Sequence, residues 1–326
     1  MLSGTITPPT SWSGSLLVAD GAGPERDASG GFAHGPGSAP CTPDTRFQVG
    51  SISKQVMSVV ALALTERGLL QLDRPVGTWL PQLPPTFRPV TLHHLLSHTS
   101  GIGHWGDIPG LPAVLEEPPE RATLVQMILD TPPVGSPGES WRYSGPGFVV
   151  VALVIEAVTG RPYGEVAADI VFTGVGMRST SSGRYPVGDA DLAVGHRDGQ
   201  PISVQRTFTD IPGTGDLWTT ARDLVRYVRA LRGGALLTET AASRLLTPQA
   251  HLAPPAPGDD LAAVSYGYGA FLGRVLSRDA WFVPGDNPGY QSLLASFPAT
   301  DTDLVILSND VEGVQVGLHQ LRRLHP

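Results

Sequence analysis

The most constraining feature of the sequence is a segment that is apolar on most of its faces. It runs from Ile52 to Arg67, and Gly68 follows at the position where a helix C-terminal cap is expected. Its apolar residues do not form a single stripe; they include Val56, Val59, Val60, Leu62, Ala63 and Leu64. A helix that is apolar all round has to be covered on every side by other elements. The segment therefore predicts a helix at the centre of a sizeable fold.

β-like runs lie at the two ends of the chain, with helical segments between them. Residues 12–19 predict a strand before an Asp-Gly turn, and short β-like runs return at 265–272, 280–283, 292–297 and 304–307. The spacing of apolar residues predicts helices over 92–97, 123–130, 146–159, 221–232 and 311–324. This order indicates one sheet built from both termini, with a mostly helical lobe inserted between its two parts.

Composition and charge exclude several classes of protein. Of the 326 residues, 41% are hydrophobic and 16% charged, which is enough apolar material for one large domain or two small ones. The net charge of −8 argues against nucleic acid or an anionic membrane as the main partner. A single cysteine, Cys41, excludes an internal disulfide and a multi-cysteine metal site. Because neither a signal peptide nor a spanning apolar run is visible, we expect a soluble, cytoplasmic protein.

Lysine is almost absent from the chain. The 22 basic residues comprise 21 arginines and one lysine, Lys54. Arginine replaces lysine on a solvated surface at little cost, but it cannot release its proton near neutral pH, whereas a desolvated lysine can. Lys54 is therefore either an incidental surface residue or the one basic residue retained for proton transfer.

A serine three residues earlier favours proton transfer. Ser51 lies at the predicted start of the apolar helix, where unpaired N–H groups and the helix dipole stabilise developing negative charge. The spacing brings the Lys54 amine within reach of the Ser51 hydroxyl, and burial would lower the lysine pKa enough to make it a base. The simpler interpretation is that Ser51 only caps the helix.

The sequence gives less support to other common catalytic, phosphate-binding and metal sites. The sequence contains no G-x-S-x-G elbow and no G-x-x-x-x-G-K phosphate loop. His94 and His98 have zinc-ligand spacing, and His93 lies beside them, but no glutamate stands between them and the flanking residues are apolar. We interpret these histidines as structural, and we predict neither a metal site nor a cofactor.

The segment Phe47–Gln55 resembles the nucleophile segment of the serine β-lactamase and penicillin-binding protein superfamily, most closely its class C and esterase-like branch. Further segments resemble motifs of that branch and follow in the same order. They are G-x-L-x-L-D-x-P-V at 68–76, T-x-x-x-L-L-x-H-T-S-G at 91–101, the Y-x-N element at 143–145, a family segment at 213–224 and the surroundings of the third motif at 283–290.

The chain departs from this family pattern at two positions. Gly145 stands where Y-x-N has its asparagine, and Val283 stands where the third motif has lysine or histidine. By the resemblance, the first change removes a side chain that holds the substrate amide. The second removes the cation that faces a substrate carboxylate, and the nearest arginines in sequence are Arg274 and Arg278.

The resemblance implies an α/β (α+β) fold of the β-lactamase type, a single two-lobed domain over 1–326. Its antiparallel sheet lobe would comprise about 1–60 and 261–326, and its helical lobe about 61–260. It further implies Ser51 as the nucleophile and Lys54 with Tyr143 as a coupled base and acid, the lysine ammonium lowering the tyrosine pKa. Backbone N–H groups of Ser51 and Asp286 would form the oxyanion hole, and the substrate would lie against Gly145, Val283 and Gly285.

The expected activity is that of a serine hydrolase that forms an acyl-enzyme with a small-molecule ester or amide. Loss of the third-motif cation predicts a preference for substrates without a free carboxylate. Two alternatives stay open at this point. One is an acyltransferase or cyclase that uses the same nucleophile with a different acceptor, and the other is a catalytically weakened binding protein of the same fold.

Overall fold

The computed structural model describes residues 6–8, 12–21, 23, 25–111, 119–183, 191–202 and 211–324. Its strands, in chain order, are β1 (Gly14–Asp20), β2 (Glu25–Asp27), β3 (Phe47–Gln48), β4 (Ser181–Ser182), β5 (His196–Arg197), β6 (Gln200–Pro201), β7 (Leu217–Thr219), β8 (Ala250–His251), β9 (Leu261–Tyr266), β10 (Phe271–Val275), β11 (Arg278–Asn287), β12 (Tyr290–Phe297) and β13 (Thr302–Ser308).

The α-helices are α1 (Ile52–Glu66), α2 (Leu92–Leu96), α3 (Arg121–Asp130), α4 (Gly145–Thr159), α5 (Tyr163–Ala167), α6 (Ala221–Arg232), α7 (Glu239–Leu246) and α8 (Gly313–Leu324). A π-helical turn, Ala168–Phe172, continues α5, and 3-10 turns lie at Val76–Thr78, Trp105–Asp107 and Pro298–Thr300. No single described helix is long and apolar enough to cross a membrane, although one pair, α4 with Tyr163–Phe172, passes by length and composition despite a bend of 78°.

One eight-stranded sheet organises the fold, in the order β2-β1-β13-β12-β11-β10-β9-β8. The two N-terminal strands join the C-terminal ones through β1, which pairs antiparallel with β13 from Gly14↔Ser308 to Asp20↔Thr302. All neighbours in this sheet pair antiparallel. The prediction of an antiparallel sheet from both termini, flanked by helices, is confirmed.

Helices cover both faces of the sheet. Because side chains alternate along a strand, each strand contributes apolar residues to both faces. On β13, Val305 and Leu307 point into the larger core, which also contains α1, α4 and α6. Leu304 and Ile306 point to the opposite face, where α8 packs. Every residue of α1 from Ile52 to Leu64 is buried, so the apolar helix lies at the centre of the fold as predicted.

Some elements differ from the sequence predictions. The β-like run at 265–272 is two strands, β9 and β10, because the chain reverses between them at a Gly-Tyr-Gly segment in which Gly269 has φ +78°. Helices α5 and α7 were not predicted, nor was the small sheet β3-β7-β4 or the hairpin of β5 and β6. These strands have two or three residues each, too few for a recognisable alternation.

Candidate active site

Ser51 lies immediately before α1, and its side chain does not cap the helix. Its Oγ accepts two hydrogen bonds instead, from Lys54 Nζ at 2.9 Å and from the Tyr143 hydroxyl at 2.7 Å. The interpretation of Ser51 as only a cap residue is therefore wrong. The structure brings together the three side chains to which the sequence assigned the chemistry.

Lys54 is buried, with 3% of its surface exposed, although it is the single lysine of the chain. Its Nζ donates to the backbone carbonyl of Thr214 at 2.8 Å as well as to Ser51. Burial lowers its pKa from 10.5 to about 7, while the charge of Asp216 acts in the opposite direction. Near neutral pH a substantial fraction of Lys54 is unprotonated, so it can accept the Ser51 proton.

Tyr143 lies on the other side of the Ser51 hydroxyl, with its ring 5.2 Å from Lys54 Nζ. Burial raises its pKa to about 12, and the hydrogen bond with Ser51 lowers it by less. The expectation of a lowered Tyr143 pKa is wrong, because loss of hydration is the largest effect on the hydroxyl and raises its pKa. Tyr143 is therefore a protonated donor at neutral pH, and Lys54 is the better base.

The segment that carries Tyr143 is held by His98. This residue has a left-handed backbone, φ 58°, and is 1% exposed. Its Nδ1 accepts the N–H of Ser144 at 3.1 Å and its carbonyl accepts the N–H of Arg142 at 2.8 Å, one residue on each side of Tyr143. His98 thus fixes the position of the tyrosine.

The neighbouring histidines also have structural partners. His94 Nδ1 accepts the N–H of Thr91 at 3.2 Å, and His93 Nδ1 lies 2.8 Å from the Tyr268 hydroxyl. Among the described residues no three or more histidine, cysteine or acidic side chains group as metal ligands would. These contacts support the structural interpretation of the histidines.

The backbone N–H groups of Ser51 and Asp286 lie close to each other where β11 packs on the start of α1. The Ser51 N–H donates to no described acceptor. Asp286 pairs with Gln291 in β11 and β12, next to the Asn287↔Tyr290 pair that closes a two-residue turn. In such a hairpin the closing pair exchanges hydrogen bonds and the next pair does not, so the Asp286 N–H points away from β12.

Gly50 makes this approach of the two backbones possible. Its φ is +50°, and a Cβ there would lie 2.7 Å from the Asp286 amide nitrogen. Any larger residue would push β11 away from the start of α1. The backbones of Ser51 and Asp286 therefore lie side by side at the start of α1, as the predicted oxyanion hole requires.

These groups line a cleft of about 620 Å³. The described residues around it are Ser51, Lys54, His104, Trp105, Tyr143, Arg197, Asp198, Thr214, Asp286, Asn287, Pro288, Gln291 and Val311. The cleft contains an arginine, but not one of the two considered from sequence. Arg278 begins β11, about 26 Å from Asp286 at roughly 3.3 Å per residue, and Arg274 lies at the same end of the sheet on β10, opposite Asp279. The arginine present is Arg197, from the β5–β6 hairpin.

The space for an asparagine side chain at position 145 is already occupied. A Cβ on Gly145 would lie 2.5 Å from Cζ2 of the Trp105 ring. The Gly145 N–H donates to Nδ1 of His104 at 3.1 Å, which leaves the proton of a neutral imidazole on Nε2. Burial and the Lys54 charge lower the His104 pKa to about 4, so the ring is neutral at neutral pH.

The other two residues expected near the substrate are not among the described residues that line the cleft. Val283 is 3% exposed and packs in the core cluster that contains α1. Gly285 lies behind the nucleophile, where a Cβ would be 3.1 Å from the Ser51 backbone nitrogen. Its role is to allow close packing of β11 on the start of α1.

Sequence reasoning missed several residues of the cleft. His104 and Trp105 follow the H-T-S-G signature after two intervening residues, and the sequence predicts a structural role for the histidine of that signature. Arg197 precedes an Asp-Gly pair, and Asp198 has φ 53°, so the only available signal was that of a tight hairpin. Nothing in the sequence connects this hairpin with Ser51, because the fold alone brings them together.

Comparison with known proteins agrees with the geometry. PbpX of Bacillus subtilis (strain 168), named as a penicillin-binding protein, is 29% identical over 275 residues, 83% of this chain but only 63% of PbpX. Esterase EstB of Burkholderia gladioli is 28% identical over 291 residues, 77% of this chain and 72% of EstB. The crystal structure of a penicillin-binding protein from Bacillus halodurans superposes with a TM-score of 0.83 at 28% identity, covering 96% of each chain.

The match to a family model extends over nearly the whole chain. The β-lactamase family model covers residues 12–325, which include every element of the large sheet and all three side chains around the Ser51 hydroxyl. The chain therefore belongs to the β-lactamase family.

Proposed function

We propose that the protein is a serine hydrolase that forms an acyl-enzyme on Ser51 with an ester or amide substrate. The observation that carries the proposal is the position of the Ser51 Oγ, which accepts hydrogen bonds from both Lys54 Nζ and the Tyr143 hydroxyl. Two proton-carrying groups on one serine, the buried Lys54 and the half-buried Tyr143, are what activation of a nucleophile and protonation of a leaving group require.

The chemical steps follow from the protonation states. Unprotonated Lys54 takes the proton of Ser51 as Oγ attacks the substrate carbonyl. The N–H groups of Ser51 and Asp286 stabilise the negative charge on the carbonyl oxygen. As the C–O or C–N bond breaks, the proton on Lys54 passes to the leaving group, directly or through the Tyr143 hydroxyl, which regains a proton from the lysine. Water then attacks the acyl-enzyme by the same steps in reverse order, and Ser51 recovers its proton.

The charges around the cleft support a substrate without a free carboxylate. Asp198 and Asp286 supply two carboxylates, and Arg197 supplies one guanidinium. Burial raises the pKa of Asp286 and the charge of Arg197 opposes that effect, so the arginine already acts on this carboxyl. Lys54, with a pKa of about 7, adds only a partial charge at neutral pH. A substrate carboxylate would lose hydration here without gaining a dedicated cation.

The proposal is tested by intact-protein mass spectrometry after exposure to a fluorophosphonate. We expect one adduct, which peptide mapping places on Ser51 and which disappears in Ser51→Ala. Ser53→Ala is the matched control, since Ser53 is buried on the same helix and its Oγ accepts the Leu217 N–H. An adduct on Ser53, on Ser144 or on Cys41 would contradict the proposal, and absence of any adduct would favour the binding-protein alternative.

A further inference from the structure

A buried carboxylate lies behind Lys54 and is not used in the steps above. Asp216 is 0% exposed, although an ionised side chain is rarely buried without partners. One of its oxygens accepts the N–H of Gly213 at 2.6 Å, and the other accepts the hydroxyl of Ser182. Both partners are neutral, so its negative charge is not cancelled by these hydrogen bonds.

The carboxylate closes a short turn, 213–216, against the site. Within this turn the carbonyl of Thr214 accepts Lys54 Nζ at 2.8 Å, and the Thr214 hydroxyl donates to the Ile211 carbonyl at 3.0 Å. The Gly215 carbonyl accepts Asn287 Nδ2 at 2.9 Å, which ties the turn to the end of β11. The bond between Asp216 and Gly213 therefore fixes the carbonyl that orients the lysine.

The same placement gives Asp216 an electrostatic effect on Lys54. The lysine is almost fully buried, and the effective dielectric constant between buried groups is well below that of water. An anion beside it stabilises the ammonium form and offsets part of the cost of burial. Here Asp216 is the charged group that raises the lysine's affinity for its proton.

We propose that Asp216 is a positioning residue for the reaction, which holds the 213–216 turn against the site and orients Lys54 through the Thr214 carbonyl. The inference rests on the proposed function, because it concerns the base that activates Ser51. It assigns a role to the family segment at 213–224 beyond its resemblance to relatives.

The other titratable groups around this pair are neutral near neutral pH and do not change their protonation there. His98 and His104 both face Lys54, and burial lowers the pKa of each, so both are neutral. Burial raises the pKa of Tyr143 to about 12 and that of Tyr163, which faces Asp216, well above its ordinary value. Of the described groups facing the pair, those that titrate near neutral pH are Lys54 and Asp216 themselves, with pKa values of about 7 and about 6.

The experiment measures how fast a fluorophosphonate labels Ser51 as a function of pH, in the wild type and in Asp216→Asn. Asparagine keeps an oxygen acceptor for the Gly213 N–H but carries no charge. The lysine should then lose its proton more readily, and the acid limb of the rate profile should move to lower pH by half a unit or more. On that limb the shift corresponds to about a threefold faster reaction at a given pH.

Two further variants separate charge from structure. Ser182→Ala removes one hydrogen bond that stabilises the ionised carboxyl, so it should move the limb in the same direction by less. It also provides the test if Asp216→Asn fails to fold. Asp303→Asn is the matched control, since Asp303 is 0% exposed and lies on β13 opposite Ser296, toward the far end of the sheet.

The outcomes distinguish this inference from the proposed function. A limb that moves in Asp216→Asn and Ser182→Ala but not in Asp303→Asn supports the positioning role. A limb that stays in place, moves to higher pH, or moves equally in Asp303→Asn overturns it while leaving Ser51 as the nucleophile. Failure of the wild type to be labelled at any pH would instead overturn the proposed function.

Discussion

The Nζ atom of Lys54, in the first turn of α1, lies 2.9 Å from the Oγ of Ser51, the residue immediately before that helix. The pair lies at the end of the apolar helix that opens onto the cleft, while the middle of the helix, up to Leu64, is enclosed by the core. The apolar packing that buries the helix also removes Lys54 from water and lowers its pKa. The packing of the core thus contributes directly to activation of the nucleophile.

Lys54→Arg should be as damaging as Lys54→Ala. Arginine keeps the positive charge but stays protonated, and its larger head group does not fit beside the Thr214 carbonyl. We expect kcat to fall by about a hundredfold or more in both variants, the usual scale for loss of a general acid–base group. Steady-state kinetics with a chromogenic ester measures this. If the arginine variant kept most of the activity, Lys54 would supply only charge.

Removing the charged group at Lys54 should stabilise the protein, and more at pH 6 than at pH 9. The pKa of Lys54 is about 7 in the folded protein against 10.5 for a solvated lysine, so between these values the unfolded chain binds more protons and stability rises with pH. Below pH 7 the folded protein carries the full cost of a buried ammonium. Lys54→Met removes that cost, and thermal unfolding at the two pH values measures the difference. A larger gain at pH 9 would contradict the lowered pKa.

The sequence contained enough information for the large sheet, the central helix and the three side chains at Ser51, but not for their protonation states. The apolar segment at 52–67 and the spacing of Ser51 and Lys54 are local, so they are visible without a structure. The Tyr143 pKa depends on how completely the ring is buried among His98, Phe271 and other rings, and this follows only from long-range packing.

The other residues of the cleft could not be predicted from the sequence, because long-range packing brings them to Ser51. Arg197 and Asp198 are about 145 residues from Ser51 in the chain, and they line the cleft from the end of a two-residue strand and the turn after it. The departure at Gly145 was visible, but its explanation was not. The Trp105 ring lies where an asparagine side chain would begin, and no local pattern relates positions 105 and 145.

Restoring the family asparagine should therefore reduce activity. In Gly145→Asn the new Cβ meets the Trp105 ring at 2.5 Å, so the ring or the start of α4 must move. Overpacking of this kind typically costs about 1–3 kcal/mol of stability. We expect a lower unfolding temperature and at least a roughly tenfold lower kcat/KM, since Tyr143 is only two residues away.

The control for this variant is Gly160→Asn. Gly160 has φ +66°, which asparagine tolerates better than most residues, and a Cβ there meets nothing within 4 Å. It should unfold within a few degrees of the wild type and keep its activity. If Gly145→Asn were instead more active than the wild type, the Trp105 ring would have to move away without cost.

Activity should depend on neither the thiol nor a metal ion. Cys41 is 4% exposed and burial raises its pKa to about 11, so the thiolate needed for reaction is scarce at neutral pH. Cys41→Ala and dialysis against a chelator should each leave the labelling rate of Ser51 within a factor of about three. A large loss on chelation that added zinc reversed would revive His94 and His98 as ligands.

The preference for substrates without a carboxylate should depend on Asp286. For an ester substrate and the matched substrate that carries a free carboxylate, the wild type should show the higher kcat/KM with the neutral one. Asp286→Asn removes a carboxylate from the cleft and keeps the backbone N–H, so it should narrow the gap by roughly fivefold, about 1 kcal/mol. Arg197→Gln should widen the difference in kcat/KM between the two substrates, because the substitution removes the positive charge that offsets the Asp286 carboxylate. A wild-type preference for the carboxylate substrate that Arg197→Gln abolished would show that Arg197 has replaced the third-motif cation, and the neutral-substrate proposal would then be wrong.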